Sequence, residues 1–452
     1  MTTQEESRDE FADLKELMLD EREYDAVSSG ADQPTRRRRR RRGLIITAVV
    51  LLVLLGTPAG YAAWALNAPV SSPTVSSQPP AIPTPAAATL ALPAEGSAAI
   101  SVAGADQYLG ADAAGIWKTS GGDGPRPIAS ISKLITALVV LHAKPLADAN
   151  DAGPTITWSK AQHDLYDKYF VMGATISPMP TGSSMSERDA ISTMLLPSSA
   201  NYADALSTWA FGSPGGYTSA AKKWLAANGL THTTIVEPTG MSARNTSTPT
   251  DLIKLGKIAA TNPALVAIAG TKSQNVPGAG ALQNTNDLLG VDGITGLKTG
   301  NLGTGTHNLL YAASLDVGSG APLQVTGVML GGQTHDSVSH DVKALLDSIK
   351  AGFHDVSLAD AGQQLGTYTT RWGSSARMVI RDSASIRTWS DTPITVTMKT
   401  TTPTSYQDGA VVGSLTWKAG SQTVSVPVQI EGSIAPPTDW WRLTHPFELG
   451  GD

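Results

Sequence analysis

The 452-residue chain has no cysteine, only five phenylalanines, and charged side chains at just 16% of positions. Without thiols there is neither a disulfide framework nor a thiolate metal site. Its eight histidines do not fall with Asp or Glu at zinc-ligand spacing, so a metallopeptidase is not indicated and neither metal nor cofactor is expected. A basic face is missing as well. Residues 1–35 hold eleven acidic side chains against three basic ones, seven consecutive arginines follow at 36–42, and the remainder is mildly acidic. That balance gives no reason to expect a nucleic-acid partner. What the chain does have is 41% apolar residues, enough at this length for a sizeable core and two or three domains.

The acidic residues 1–43, ending in the arginine run, read as a mostly disordered tail, with one short amphipathic stretch at 11–19. Residues 44–66 are apolar and free of charge; as a helix they reach roughly 34 Å, enough to cross a bilayer core. The arginines put the N-terminal side in the cytoplasm and the rest of the chain outside. Ala63-Trp64-Ala65 offers a small-x-small cleavage site, which would make the protein secreted. The run is longer than a signal-peptide core, and this favours an uncleaved single-pass anchor in the cell membrane. Prolines at 69, 73, 79, 80, 83, 85 and 93 among Ala, Ser and Thr mark 67–93 as a semi-stiff spacer.

A globular domain is expected over 94–356. It opens with a strand at 98–103 and continues into an almost wholly apolar helix at 132–143, which must be buried. Ser184-Met185-Ser186-Glu187 has the pattern of a capping box. Helical spacing recurs at 203–209, 217–227 and after Thr248-Pro249-Thr250-Asp251. Two strand signals at 309–314 and 323–330 flank a glycine turn, and a helix at 337–353 follows. Strands at both ends with helices between predict an α+β fold, an antiparallel sheet with helices on both faces and an inserted helical subdomain. Short alternating strands over 357–452 predict a small all-β sandwich. Trp440-Trp441-Arg442 near its end is expected to pack on the domain.

Ser130-Ile131-Ser132-Lys133 opens the buried helix. One turn separates i from i+3, so the Ser130 hydroxyl and the Lys133 amine share a face. A serine becomes a nucleophile when a base takes its proton, and a lysine serves if its charge is suppressed. The pattern alone is weak, because Ser219-Ala220-Ala221-Lys222 repeats it on an ordinary amphipathic helix. Ser199-Ala200-Asn201 is matched in the same way by Ser273-Gln274-Asn275. Lys298-Thr299-Gly300 occurs once.

In this order the three motifs form the signature of active-site serine penicillin-binding proteins and class A β-lactamases. With their flanks, Leu195-Leu196-Pro197-Ser198-Ser199-Ala200-Asn201-Tyr202-Ala203 and Asn284-Thr285-Asn286-Asp287-Leu288-Leu289 among them, residues 95–355 resemble the D-alanyl-D-alanine carboxypeptidases. These are the low-molecular-mass penicillin-binding proteins of the S11 peptidase type. Glu237-Pro238-Thr239-Gly240-Met241 is similar to a segment the family usually writes with Asn or Asp before the proline.

The resemblance implies a membrane-anchored serine carboxypeptidase that trims the terminal D-alanine from peptidoglycan stem peptides and is inhibited by β-lactams. Ser130 is then the nucleophile and Lys133 the general base, its pKa lowered by burial and by the Lys298 ammonium. Ser199 relays a proton, and Asn201 orients Lys133 and the substrate amide. Lys298 supplies positive potential for the substrate carboxylate, Thr299 donates a hydrogen bond, and Gly300 leaves room for substrate backbone. The backbone N–H groups of Ser130 and Asn301 form the oxyanion hole.

Three positions depart from the family pattern. Ser132 stands where the family often has Thr. Gln333 and Gln283 stand where better-studied members carry arginine, and a neutral amide makes no charge-assisted fork to a carboxylate. Endopeptidase-like specificity therefore remains an alternative, with His307 as a candidate polar contact. The class A β-lactamase reading requires a deacylating glutamate with an asparagine four residues on, whereas Glu237 is followed there by Met241. A non-catalytic wall-binding protein would not require three intact motifs.

Overall fold

The structure, a computed structural model, describes residues 35–451. The amphipathic stretch expected at 11–19 and the acidic tail lie outside the described residues. Helix α1, Thr35–Asn67, includes the arginines, and its portion Arg40–Asn67 is long and apolar enough to cross a membrane. It belongs to a compact unit of its own with residues 369–374 and the stretch from Ala435 onward. Within that unit the Tyr61 hydroxyl donates to the Leu443 carbonyl (2.7 Å) and Arg442 Nη1 donates to that of Ala68 (2.7 Å). Trp441 stacks on His445 and meets Trp372 edge-on, while Trp440 stays exposed. Residues 369–374 and 435–451 thus group with helix α1.

The second unit, Val75–Tyr368 with Ser375–Ile434, holds the catalytic-type domain and the β domain. Strand β1, Thr74–Ser77, runs at the edge of the six-stranded sheet described below. Ile82 packs against the core of the β domain, and Leu90 and Leu92 pack against a second core farther along the chain. The proline-rich segment is therefore docked, where composition alone predicts a spacer. Its few apolar side chains find partners that no local pattern announces.

The central sheet comprises β2 (Ser97–Ala103), β3 (Lys118–Ser120), β4 (Ile294–Gly300), β5 (His307–Leu315) and β6 (Leu323–Gly332). Their spatial order is β4-β5-β6-β2-β3, and every pair is antiparallel. Alternation along the strands serves two cores. Leu310, Val328 and Ala99 face the helical side, where α2 (Ser132–Ala143) is buried along most of its length. Leu309, Tyr311, Met329 and Ile100 face the other side, against helix His335–Ala351.

The helical subdomain adds α3 (Lys160–Val171), α4 (Glu187–Leu195), α5 (Ala200–Phe211), α6 (Pro214–Ala227) and α7 (Pro249–Ala260), and α8 is His335–Ala351. Ser186, not Ser184, caps α4 by accepting from the Asp189 N–H. Thr248 caps α7 as expected. The β domain has two sheets around one core centred on Trp417, Met378, Leu415 and Ile430. One pairs β7 (Phe353–Ala359) with β10 (Ala384–Trp389). The other runs β1-β8-β9-β13-β12-β11, with β8 Gln364–Thr369, β9 Ser375–Ile380, β11 Ile394–Thr400, β12 Val411–Ala419 and β13 Gln422–Glu431.

If the proline-rich segment contributes packing, a chain starting at residue 94 should melt at least about 3 °C below one starting at residue 75. Calorimetry showing identical transitions would mean that the segment is only a spacer.

Candidate active site

Ser130 lies in a 3-10 turn, Ala129–Ile131, that runs straight into α2 and leaves its side chain half-buried at the helix mouth. Ala129 and Ser198, the residues before Ser130 and Ser199, both take left-handed backbone (φ 52° and 68°). That conformation costs a side-chain-bearing residue about 1–2 kcal/mol and persists only where the surroundings enforce it. Here they do. A Cβ on Gly300 would sit 2.7 Å from the Ile128 carbonyl oxygen and 3.1 Å from the Ser130 nitrogen. A Cβ on Gly240, itself at φ +81°, would sit 2.0 Å from the Ala129 carbonyl oxygen. Two glycines thus let β4 and the 237–242 loop close on the backbone that presents Ser130.

Lys133 Nζ donates to Ser130 Oγ at 3.0 Å and to the Thr239 carbonyl at 2.7 Å. The side chain is buried, and no carboxylate touches it among the described residues. Burial pulls its pKa down to about 7, against an upward pull from the Glu237 charge. Lys298, on β4, is also buried, and its Nζ lies 3.4 Å from Thr285 Oγ1 and 3.3 Å from Thr299 Oγ1. Burial and then repulsion from Lys133 hold Lys298 well below the ordinary lysine range. The repulsion expected to lower Lys133 is borne by Lys298, and desolvation is what lowers Lys133.

Ser199 is fully buried at the start of α5, its hydroxyl hydrogen-bonded to that of Ser177. Asn201 is tied to the neighbouring loop. Its Nδ2 donates to the Ser177 carbonyl (2.8 Å) and its Oδ1 accepts from the Ser177 N–H (3.2 Å). With each end of its amide bonded to the Ser177 backbone, Asn201 fixes the loop that carries Ser177. Gly300 makes room for the Ile128–Ser130 backbone. The same approach brings the end of β4, with Asn301 next in sequence, beside the Ser130 amide.

Ser177 and Thr285 join the site without having been singled out. Ser177 sits in a loop with no periodicity to mark it. Thr285, whose Oγ1 lies 2.6 Å from that of Thr299, was visible only as part of the flanking match. The Thr239 carbonyl is a backbone group that any residue would supply. Gln333 and Gln283 are both exposed; His307 is half-buried and pairs with Gly332 in the β5–β6 register. Burial and nearby His335 lower the His307 pKa. The rival motifs fall away, because Ser219, Lys222, Ser273 and Asn275 are all exposed. Glu237 is turned into its own loop, accepting from the N–H groups of Thr239, Gly240 and Ser242. That engagement, like Met241, speaks against a deacylating glutamate.

Residues 110–330 match the family model described as D-alanyl-D-alanine carboxypeptidase. No curated protein matches the sequence. The fold is similar to that of penicillin-binding protein 6B from Escherichia coli, at 19% identity and a TM-score of 0.51, over 78% of this chain and 98% of that one. It is also similar to penicillin-binding protein 5 from Haemophilus influenzae, at 17% identity and a TM-score of 0.50, over 80% and 100%.

The close approach at Gly300 makes a direct prediction. Gly300→Ala should slow covalent labelling by a fluorescent penicillin at least about 100-fold, a displacement of roughly 1 Å at a reacting centre being worth that much. Labelling at the wild-type rate would show that the Gly300 contact does not position Ser130.

Proposed function

We infer that this chain, which belongs over residues 110–330 to the D-alanyl-D-alanine carboxypeptidase family of S11 peptidases, carries out that reaction through Ser130. It is a serine-type hydrolase acting on peptidoglycan stem peptides, with β-lactams as ligands of the same site. The observation that carries the residue assignment is the 3.0 Å contact between Lys133 Nζ and Ser130 Oγ, made by a buried lysine with no carboxylate touching it. An amine in that setting spends much of its time neutral at pH 7 and has a lone pair for the serine proton.

In the proposed cycle Ser130 Oγ attacks the carbonyl carbon of the penultimate D-alanine while its proton passes to Lys133. The oxyanion lies between the N–H groups of Ser130 and Asn301. Ser199 relays the proton to the peptide nitrogen, the C–N bond breaks, and D-alanine leaves. Ser177 holds the Ser199 hydroxyl in place, and Asn201 holds Ser177. Water then adds to the ester, the C–O bond to Ser130 breaks, and the serine recovers its proton. Lys298 and Thr299 face the substrate carboxylate. A β-lactam acylates the same oxygen.

Helix α1 fits an uncleaved anchor, with the arginines on the cytoplasmic side and the enzyme outside, where its wall substrate lies. Substrate choice beyond the family level rests on Gln333. Exposed and neutral where an arginine would grip a terminal carboxylate, it supports a second reading as an endopeptidase tolerant of amidated or extended ends.

Two measurements test these assignments. Release of D-alanine from a peptide ending in D-Ala-D-Ala should rise with pH through about 7, because protonated Lys133 cannot accept the serine proton. It should vanish in Ser130→Ala, and turnover surviving that substitution would remove Ser130 from the mechanism. Gln333→Arg should raise kcat/KM for the same peptide about tenfold. An unchanged value would show that the carboxylate is read elsewhere.

A further inference from the structure

The mechanism leaves one carboxylate unused, and it is the most heavily hydrogen-bonded acid near the site. Glu237 Oε2 accepts from the Thr239 N–H (2.7 Å) and the Thr239 hydroxyl (2.6 Å). Its Oε1 accepts from the N–H groups of Gly240 (2.7 Å) and Ser242 (3.2 Å) and from Asn245 Nδ2 (3.1 Å). Asn245 extends the network to the helix that carries the lysine. Its Nδ2 also reaches Ser132 Oγ (2.9 Å), and its Oδ1 accepts from the Val236 N–H (2.8 Å).

This lashed loop touches Lys133 and the residue before Ser130. The Thr239 carbonyl accepts from Lys133 Nζ, and Gly240 lies against the Ala129 carbonyl. The Thr239–Gly240 peptide thus has its N–H on Glu237 and its carbonyl on Lys133. This puts the acid one residue's width from the amine without letting them touch.

We propose that Glu237 is a positioning residue for the acylation step: it holds the Thr239 carbonyl on Lys133 and, from behind that residue, sets how readily the amine gives up its proton. This rests on the reading of Lys133 as the base. Direct contact with a carboxylate would keep the lysine protonated and useless as a base at neutral pH. No negative charge at all would leave burial unopposed and the pKa lower still, weakening the amine as a base. A carboxylate one residue removed strikes the balance. The other ionisable groups packed around the pair are Lys298 from β4, the Tyr169 phenol from α3 and the Tyr217 phenol from α6. Both phenols are held above their usual range by burial, with Glu237 contributing. Asp204, on α5, is engaged by Lys168 and by the Tyr169 hydroxyl. That leaves Glu237 as the anionic group acting on Lys133.

The experiment is the pH profile of acylation by a fluorescent penicillin, measured on the full-length protein in detergent between about pH 5 and about pH 9. In Glu237→Gln the loss of negative charge should move the acid limb about one unit lower, along with a reduced plateau as one backbone donor loses its acceptor. Glu237→Asp keeps the charge but withdraws it by a methylene, and should move the limb the same way by less. It serves as the test on its own if the glutamine variant does not fold. A lowered plateau with the limb unmoved in every variant that folds would overturn the proposal, since a purely structural loop tie predicts that result. Lys133→Met separates the two readings. If it acylates at the wild-type rate with the wild-type profile, the base assignment itself is wrong; if it is inactive while Glu237→Gln keeps the wild-type limb, only the role of Glu237 fails.

Discussion

The catalytic domain depends on a lysine amine held out of water at the mouth of an apolar helix. Burying an ammonium is costly unless a carboxylate meets it, and among the described residues none touches Lys133. The group resolves that cost by giving up its proton easily, which is the property the proposed base requires. The surroundings maintain this condition. The apolar flanks of α2 exclude water, the Thr239 carbonyl fixes the direction of the amine, and Lys298 places a second buried cation close enough that two full charges are disfavoured.

Placement of Ser130 follows from backbone packing more than from side-chain contacts. Strand β4 and the 237–242 loop approach the 128–130 backbone from two sides, and each approach is possible only because a glycine stands at the point of contact. The left-handed residues Ala129 and Ser198 show local strain accepted at two serines of the site and held by the packed frame. The sheet and the helical subdomain are in this sense the two jaws of one clamp. Ser130 and the Lys298-Thr299-Gly300 motif come together at one such point of contact.

Much of this was legible beforehand. The Ser130–Lys133 spacing, the uninterrupted apolar run of α2, and the alternating strands β2, β5 and β6 carry their structure in local pattern. What was not legible falls into physical categories. Helix α3 buries only Tyr169, so it offers no apolar stripe to detect. Strand β1 hides in a proline-rich stretch because pairing at a sheet edge needs backbone groups more than a side-chain pattern. The Ser177 partners of Asn201 and the backbone packed on Gly300 were hidden because motif spacing gives the neighbourhood of a side chain and not its contacts. Ser177 and the Thr239 carbonyl entered through tertiary contact alone.

The central claim is that one serine, of the two followed three residues on by a lysine at helical spacing, is made nucleophilic by its setting. The most direct measurement is proteolytic mapping by mass spectrometry of the full-length protein after reaction with a β-lactam. A single ring-opened adduct is expected, on the peptide containing Ser130. An adduct on the peptide containing Ser219, or no adduct on a correctly folded protein, would contradict it.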